Sequence, residues 1–148
     1  MEYSIVDAQA RHIPQLEELE KQCFSVPWTG YQLKGQLKDN NHEFIVAENS
    51  EGEVLGYVCM TYVLDEGDIS NVAVKPEYRR LHLGTGLIGA LINKAEKLGI
   101  VRISLEVRES NFSAQKLYSN FGFIPAGLRK NYYEFPKENA IIMVKSMK

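Results

Sequence analysis

Val72-Ala73-Val74-Lys75-Pro76-Glu77-Tyr78-Arg79-Arg80-Leu81-His82-Leu83-Gly84-Thr85-Gly86-Leu87-Ile88 is the stretch around which the chain is organised. An apolar strand runs into a proline, then into a short basic segment with spaced glycines. A helix follows, because Leu87, Ile88, Leu91, Ile92, Ala95 and Leu98 fall at helical spacing. Gly99 stops that helix at the C′ position. A strand, a tight turn and a helix opening leave several backbone N–H groups unpaired and pointing one way. The helix dipole adds partial positive charge there, so such a place binds phosphate oxygens. Arg79 and Arg80 add two full charges beside it. Two familiar phosphate motifs are excluded. No Gly-Lys-Ser/Thr follows the loop. The full G-x-G-x-x-G fingerprint and its ribose-binding acid are missing too.

The 148 residues suffice for one domain with a sizeable core, and we expect a single domain over residues 1–148. The hydrophobic fraction of 45% and charged fraction of 24% are those of an ordinary globular protein. A net charge of −2 argues against a general nucleic-acid surface. Cys23 and Cys59 have no metal-ligand spacing and suggest no disulfide framework, which fits a reducing cytosol. No signal peptide or membrane-length apolar run is visible, so the expectation is a cytoplasmic protein without membrane or direct nucleic-acid contacts.

Outward from the central stretch, Tyr3–Val6 reads as a short strand. Pro14 sits in the first turn of a helix whose buried face carries Ile13, Leu16, Leu19 and Cys23. Thr29 and Gln32 have capping-box spacing and start a second helix ending near Lys38. Glu43–Glu48, Val54–Leu64 and Asp68–Val74 read as an antiparallel meander, with Asp65-Glu66-Gly67 as a tight connection. After the central helix, Ile103, Leu105 and Val107 alternate with Arg102, Ser104 and Glu106 in a strand parallel to the one before it. Ser110 or Asn111 caps a helix carrying Ala114, Leu117, Tyr118 and Phe121. Phe123–Gly127 and Asn139–Ser146 are the last strands, with Arg129–Glu134 as a loop between them. The order β-α-α-β-β-β-α-β-α-β-β gives an α/β fold with a mixed, mainly antiparallel sheet and four helices.

This order and the central stretch resemble the GCN5-related N-acetyltransferases (GNAT). That family's acetyl-CoA loop, Gln/Arg-x-x-Gly-x-Gly/Ala after a Val-x-Pro strand end, reads here Arg79-Arg80-Leu81-His82-Leu83-Gly84. His82 stands where the family has its first glycine. Further segments point to the RimI-type branch, which acetylates the N-terminal alanine of a small-subunit ribosomal protein. They are Pro27-Trp28-Thr29, Asn71–Val74, Leu105–Asn111, Leu117–Phe123 and Arg129–Tyr133. The resemblance implies acetyl-CoA as cosubstrate, no metal, and a ribosomal or other cytosolic protein N-terminus as partner. It implies cofactor contacts from Val72, Ala73 and Val74, from Arg79, Arg80, Leu81, His82, Leu83, Gly84 and Thr85, and from Asn111, which equally reads as a plain N-cap.

Glu106 falls at the end of a central strand, where a carboxylate can take a proton from an incoming amine. A solvated strand glutamate would look the same; the resemblance makes it the general base. Tyr118 reads from its pattern as a core aromatic, and the resemblance makes it the acid that protonates the departing thiolate. An α-amine has a pKa of roughly 8 and a lysine near 10.4, so neutralising the first at pH 7 costs about 1.4 kcal/mol and the second several-fold more. This prefers an N-terminal amine. Trp28, Tyr31, Tyr132 and Tyr133 are candidates for an acceptor slot, and Glu66, in the acidic run Asp65–Asp68, for attracting a basic peptide. Edge packing and a solvated turn are the plainer readings. Two alternatives stand beside this one: a small-molecule amine acetyltransferase and a non-catalytic acyl-CoA-binding module. For His82 we expect a negative φ, since a side chain in the left-handed region costs about 1–3 kcal/mol.

Overall fold

The structure, a computed structural model, describes residues 2–79 and 82–147. The expected contacts of Arg80 and Leu81 therefore lie outside the described residues. Seven strands form one sheet: β1 (Ser4–Asp7), β2 (His42–Glu48), β3 (Val54–Val63), β4 (Glu66–Val74), β5 (Arg102–Arg108), β6 (Ile124–Tyr133) and β7 (Glu138–Ser146). Their spatial order is β1-β2-β3-β4-β5-β7-β6. Only β4 and β5 run parallel. Four α-helices accompany them: α1 (Ile13–Cys23), α2 (Gly30–Lys38), α3 (Leu83–Lys97) and α4 (Phe112–Asn120). The expected order and sheet type hold.

Alternation along the strands divides the core into two layers. Leu55, Val58, Met60, Ile69, Leu105 and Val107 meet α3 and α4 through Leu87, Leu91 and Tyr118 on one face. Phe44, Val46, Tyr57, Cys59 and Ala73 meet α1 and α2 through Leu16, Leu19 and Leu33 on the other. Leu87 and Leu91 are fully buried, which stabilises the fold by about 1.5–3 kcal/mol each. The Thr29–Gln32 capping box forms: Gln32 N–H donates to Thr29 Oγ1 at 3.2 Å, and Thr29 N–H donates to Gln32 Oε1 at 2.8 Å.

Three expectations need correction. The β3–β4 turn is Leu64-Asp65, because Val63 already pairs with Glu66; Leu64 takes the positive φ (56°) that so short a turn demands. Arg129–Tyr133 is strand, not loop. β7 is long enough to pair across a bulge with Arg129 and Tyr133. And α3 begins at Leu83, so Gly84 and Gly86 lie inside it; added side chains there would meet Leu117 and the Tyr3 hydroxyl.

What positions the site is the way β4 leaves β5. The two pair only from Glu66↔Arg102 to Ile69↔Leu105, although β4 runs on to Val74 and β5 to Arg108. A bulge at Ser70 marks the departure, since Cys59 pairs with Asn71 and Met60 with Ile69. Beyond it the parallel strands splay, and a gap opens in the middle of the sheet.

Candidate active site

The β4 edge facing this gap follows from register. Lys75 N–H donates to Leu55 O at 2.8 Å, so Lys75 and Leu55 form a hydrogen-bonded pair. Alternation then commits Ala73 to Tyr57 and turns the backbone groups of Val72 and Val74 into the gap. Of the three expected backbone contacts, Val72 and Val74 face the gap and Ala73 faces β3. Gly56 on β3 permits the close approach of β4: a Cβ there would lie 2.7 Å from Ala73 O.

At the far end of the gap stands the start of α3. His82 is its N-cap, with φ 62° and ψ 22°. The expected negative φ is thus corrected. The chain reverses sharply into a helix whose first backbone bond, Gly86 N–H to His82 O (3.1 Å), already requires that turn, and histidine enters the left-handed region more readily than most residues. The N–H groups of Leu83, Gly84 and Thr85 form the open first turn of a 15-residue helix. Leu83 is buried, so only its backbone is available. Arg79 folds back instead of reaching outward: its Nε donates to Val74 O (3.1 Å) and its Nη2 to Cys23 Sγ (3.4 Å). Asn111 caps α4 by accepting from Ala114 N–H at 3.2 Å.

Glu106 is the first β5 residue past the last pair with β4, on the α1/α2 face of the sheet. Its carboxylate is 19% exposed, and Oε2 accepts from Arg129 Nε at 3.3 Å. Asp68 lies on the same face and accepts from Ser104 Oγ at 3.2 Å. Desolvation first, then the charge of Glu106, raises its pKa. Tyr118 approaches from the opposite face, 7% exposed, with its ring edge against Phe123 at 5.8 Å. Burial first, then neighbouring Tyr133, pushes its pKa well above the usual phenol range, so the hydroxyl holds its proton. Base and acid candidates thus lie on opposite faces of the sheet.

Tyr132 and Tyr133 stack edge-on at 5.0 Å. Burial first, then Tyr132, pushes the Tyr133 hydroxyl up to about 12. Arg108 fixes this corner: its guanidinium lies 4.3 Å from the Tyr133 ring and bonds Glu138, Pro136 O and Glu134 O. Ser25 Oγ reaches Glu134 O at 3.2 Å, so the α1–α2 loop bearing half-buried Trp28 abuts the β6–β7 turn. Tyr31 stands 87% exposed on the first turn of α2. Glu66 does not join the group. It faces Arg102 at 3.7 Å, four residues down β5 from Glu106, or about 13 Å along the sheet.

Sequence reasoning missed Glu20, Asn71 and Arg108. Glu20 is fully buried and accepts from Trp28 N–H at 2.7 Å, from the Tyr57 hydroxyl and from Asn71 Nδ2. Its signal was present: it falls on the apolar stripe of α1 with Leu16 and Leu19, where a carboxylate does not belong without partners. Among the described residues, no group of three or more His, Cys, Asp or Glu is placed to hold a metal ion.

An unpaired strand edge leading to an open helix start suits a cosubstrate with an amide-bearing arm and a pyrophosphate, and acetyl-CoA has both. Residues 13–123 match the Acetyltransferase (GNAT) family, and the chain belongs to it. It is an acetyl-CoA-dependent N-acetyltransferase. Over 142 residues it is 36% identical to the [Ribosomal protein bS18]-alanine N-acetyltransferase of Haemophilus influenzae, covering 94% of this chain and 95% of that one. The Escherichia coli K12 enzyme of the same name is 33% identical, with 95% of both chains covered. The crystal structure of the ribosomal-protein-S18-alanine N-acetyltransferase from Escherichia coli matches with a TM-score of 0.91 at 30% identity, over 99% of this chain and 95% of that one.

Proposed function

We propose that this enzyme acetylates the N-terminal alanine of a small-subunit ribosomal protein, the counterpart of bS18, in the cytosol, and that residues 1–148 act as one catalytic domain. The observation that carries the reading is the placement of Glu106 at the gap, on the face walled by the Trp28 loop and the β6–β7 turn. Likeness to the bS18-alanine enzymes over nearly the whole chain supports the choice of acceptor.

Acetyl-CoA supplies an activated acyl group as a thioester. In this reading Val72 and Val74 N–H groups align the pantetheine arm and polarise the acyl carbonyl. Backbone N–H groups of Leu83, Gly84 and Thr85 face the pyrophosphate. Glu106 takes a proton from the amine, and Tyr118 holds the proton that the leaving sulfur needs. Arg129 holds the Glu106 carboxylate in one orientation until the acceptor arrives. Trp28, Tyr132 and Tyr133 line the path by which the peptide reaches the gap.

The test is steady-state kinetics on a peptide with the ribosomal N-terminus. Glu106→Gln should lower kcat by about 100-fold or more while acetyl-CoA affinity is kept, with partial recovery as rising pH deprotonates the amine. An unchanged kcat and pH profile would remove Glu106 from the mechanism.

A further inference from the structure

Asn71 sits on the lip of the gap opposite Glu106, one residue before Val72, on the same face of the sheet. Its side chain is held in one orientation. Nδ2 lies 3.1 Å from Glu20 Oε2 and 3.1 Å from Tyr57 Oη. The Tyr57 hydroxyl gives its own proton to Glu20, so its oxygen is left to accept. Glu20 also takes the Trp28 N–H at 2.7 Å. The two acceptors lie side by side, so they share one amide hydrogen of Asn71 and hold Nδ2 inward. A flipped amide would set its oxygen against a carboxylate and against a hydroxyl whose proton is already donated. The network is closed on the buried side, where Glu20 is 0% exposed, while Asn71 itself is half-buried. With Nδ2 held inward, the side-chain carbonyl oxygen is turned away from the network, and it only accepts.

We propose that Asn71 is an acceptor-positioning residue: its outward carbonyl, fixed by Glu20 and Tyr57, accepts an N–H of the incoming primary amine and aims its lone pair at the acetyl carbon beside Val72. The inference rests on the gap being the site of transfer. A primary ammonium carries three N–H bonds. One proton leaves to water as the amine becomes neutral. Glu106 takes the second as the lone pair forms the new C–N bond and the thioester C–S bond breaks to a thiolate that Tyr118 protonates. The third, held by Asn71, stays in the amide product. A neutral carbonyl suits this place better than another carboxylate, because Glu106 and Asp68 already share the face, where burial first and then the charge of Glu106 raise the pKa of Asp68. The Trp28 N–H bond couples the same device to the acceptor loop, so one buried carboxylate sets both the amine's anchor and the wall of its slot.

The experiment compares the native chain with Glu20→Gln and with Glu20→Gln/Asn71→Asp, using an alanine-starting peptide, acetyl-CoA calorimetry and thermal unfolding. Glu20→Gln keeps the shape but puts an NH2 group into a ring of donors, which drives Asn71 to turn its oxygen inward and its own NH2 outward. The expected result is a peptide KM raised by about tenfold with acetyl-CoA affinity within about twofold of native. In the double variant the introduced glutamine amide donates to one oxygen of the introduced aspartate. The other carboxylate oxygen faces outward and accepts, so the peptide KM should recover in part, short of native because of the added charge beside Glu106 and Asp68. Should Glu20→Gln fail to fold, Asn71→Leu carries the same test, because Glu20 keeps Trp28 and Tyr57; it should raise peptide KM alone. An unmoved peptide KM would overturn the proposal. So would a joint loss of cofactor affinity, turnover and unfolding temperature, or a double variant no better than the single. Failure of the underlying reading looks different: the native chain would not acetylate the peptide, or Glu106→Gln would leave kcat intact.

Discussion

Tyr118 packs its ring into the core against Phe123 and carries a hydroxyl that burial keeps protonated. Removing only the oxygen separates the two roles. Tyr118→Phe should unfold within about 1 kcal/mol of native while turnover per folded molecule falls; calorimetric unfolding and kcat on the same preparation check this. A sharp loss of stability with kcat intact would leave Tyr118 as a core aromatic only. At His82 the backbone is already left-handed, so glycine relieves strain that histidine tolerates. His82→Gly should raise stability by up to about 1 kcal/mol and leave acetyl-CoA affinity within a few-fold, because the first-turn N–H groups are backbone. Strand alternation and helix spacing placed Glu106 and Tyr118 on their elements, whereas the roles proposed for them came from the family resemblance. The conformation of His82 was not, since sterics of the residue alone favour negative φ and the demand for a reversal comes from α3. Nor was the role of Glu20 legible: its partners Tyr57 and Asn71 lie 37 and 51 residues away.

At the level of elements, the gap depends on how closely β3 lets β4 approach before β4 bends away from β5. Gly56 is the contact point, with Ala73 O, Val74 Cα and Leu87 Cδ1 all within 3.3 Å of where an added methyl would stand. Gly56→Ala should cost about 1–3 kcal/mol in unfolding free energy and weaken acetyl-CoA binding, because the strand carrying Val72 and Val74 must shift. Loss of stability without any change in cofactor affinity would mean that α3 absorbs the strain instead. The caps of α2 and α4 and the strands of the meander were readable, since capping residues and period-two alternation are local signals; the start of α3 and the β3–β4 turn were not. The second half of β6 was not. Arg129–Tyr133 has the polar, aromatic composition of a loop and becomes strand only because β7 lies beside it.

Across the whole molecule, order of elements follows from the sequence, whereas the placement of β7 between β5 and β6 and the parting of β4 from β5 are long-range outcomes that periodicity does not encode. The side of the sheet remote from the gap is tied by Glu48, which bonds Arg11 at 2.9 and 3.0 Å and buried His12 at 3.0 Å. These partners lower its pKa from 4.5 to about 2. A carboxylate depressed in the folded state stabilises above its unfolded pKa and loses that contribution as pH falls through the folded one. Glu48→Gln should therefore lower the unfolding temperature at pH 7, and the difference from native should shrink between about pH 4.5 and pH 2. A difference independent of pH would assign the effect to packing. No helix among the described residues is long and apolar enough to cross a membrane. The central claim is transfer to an N-terminal amine. The most direct measurement gives the enzyme acetyl-CoA and a peptide bearing both a free N-terminal alanine and an internal lysine, and locates the acetyl group by tandem mass spectrometry. The account predicts acetylation of the alanine α-amine, with the lysine unmodified at neutral pH. Acetyl on the lysine, or none on a peptide whose N-terminus is free, would contradict it.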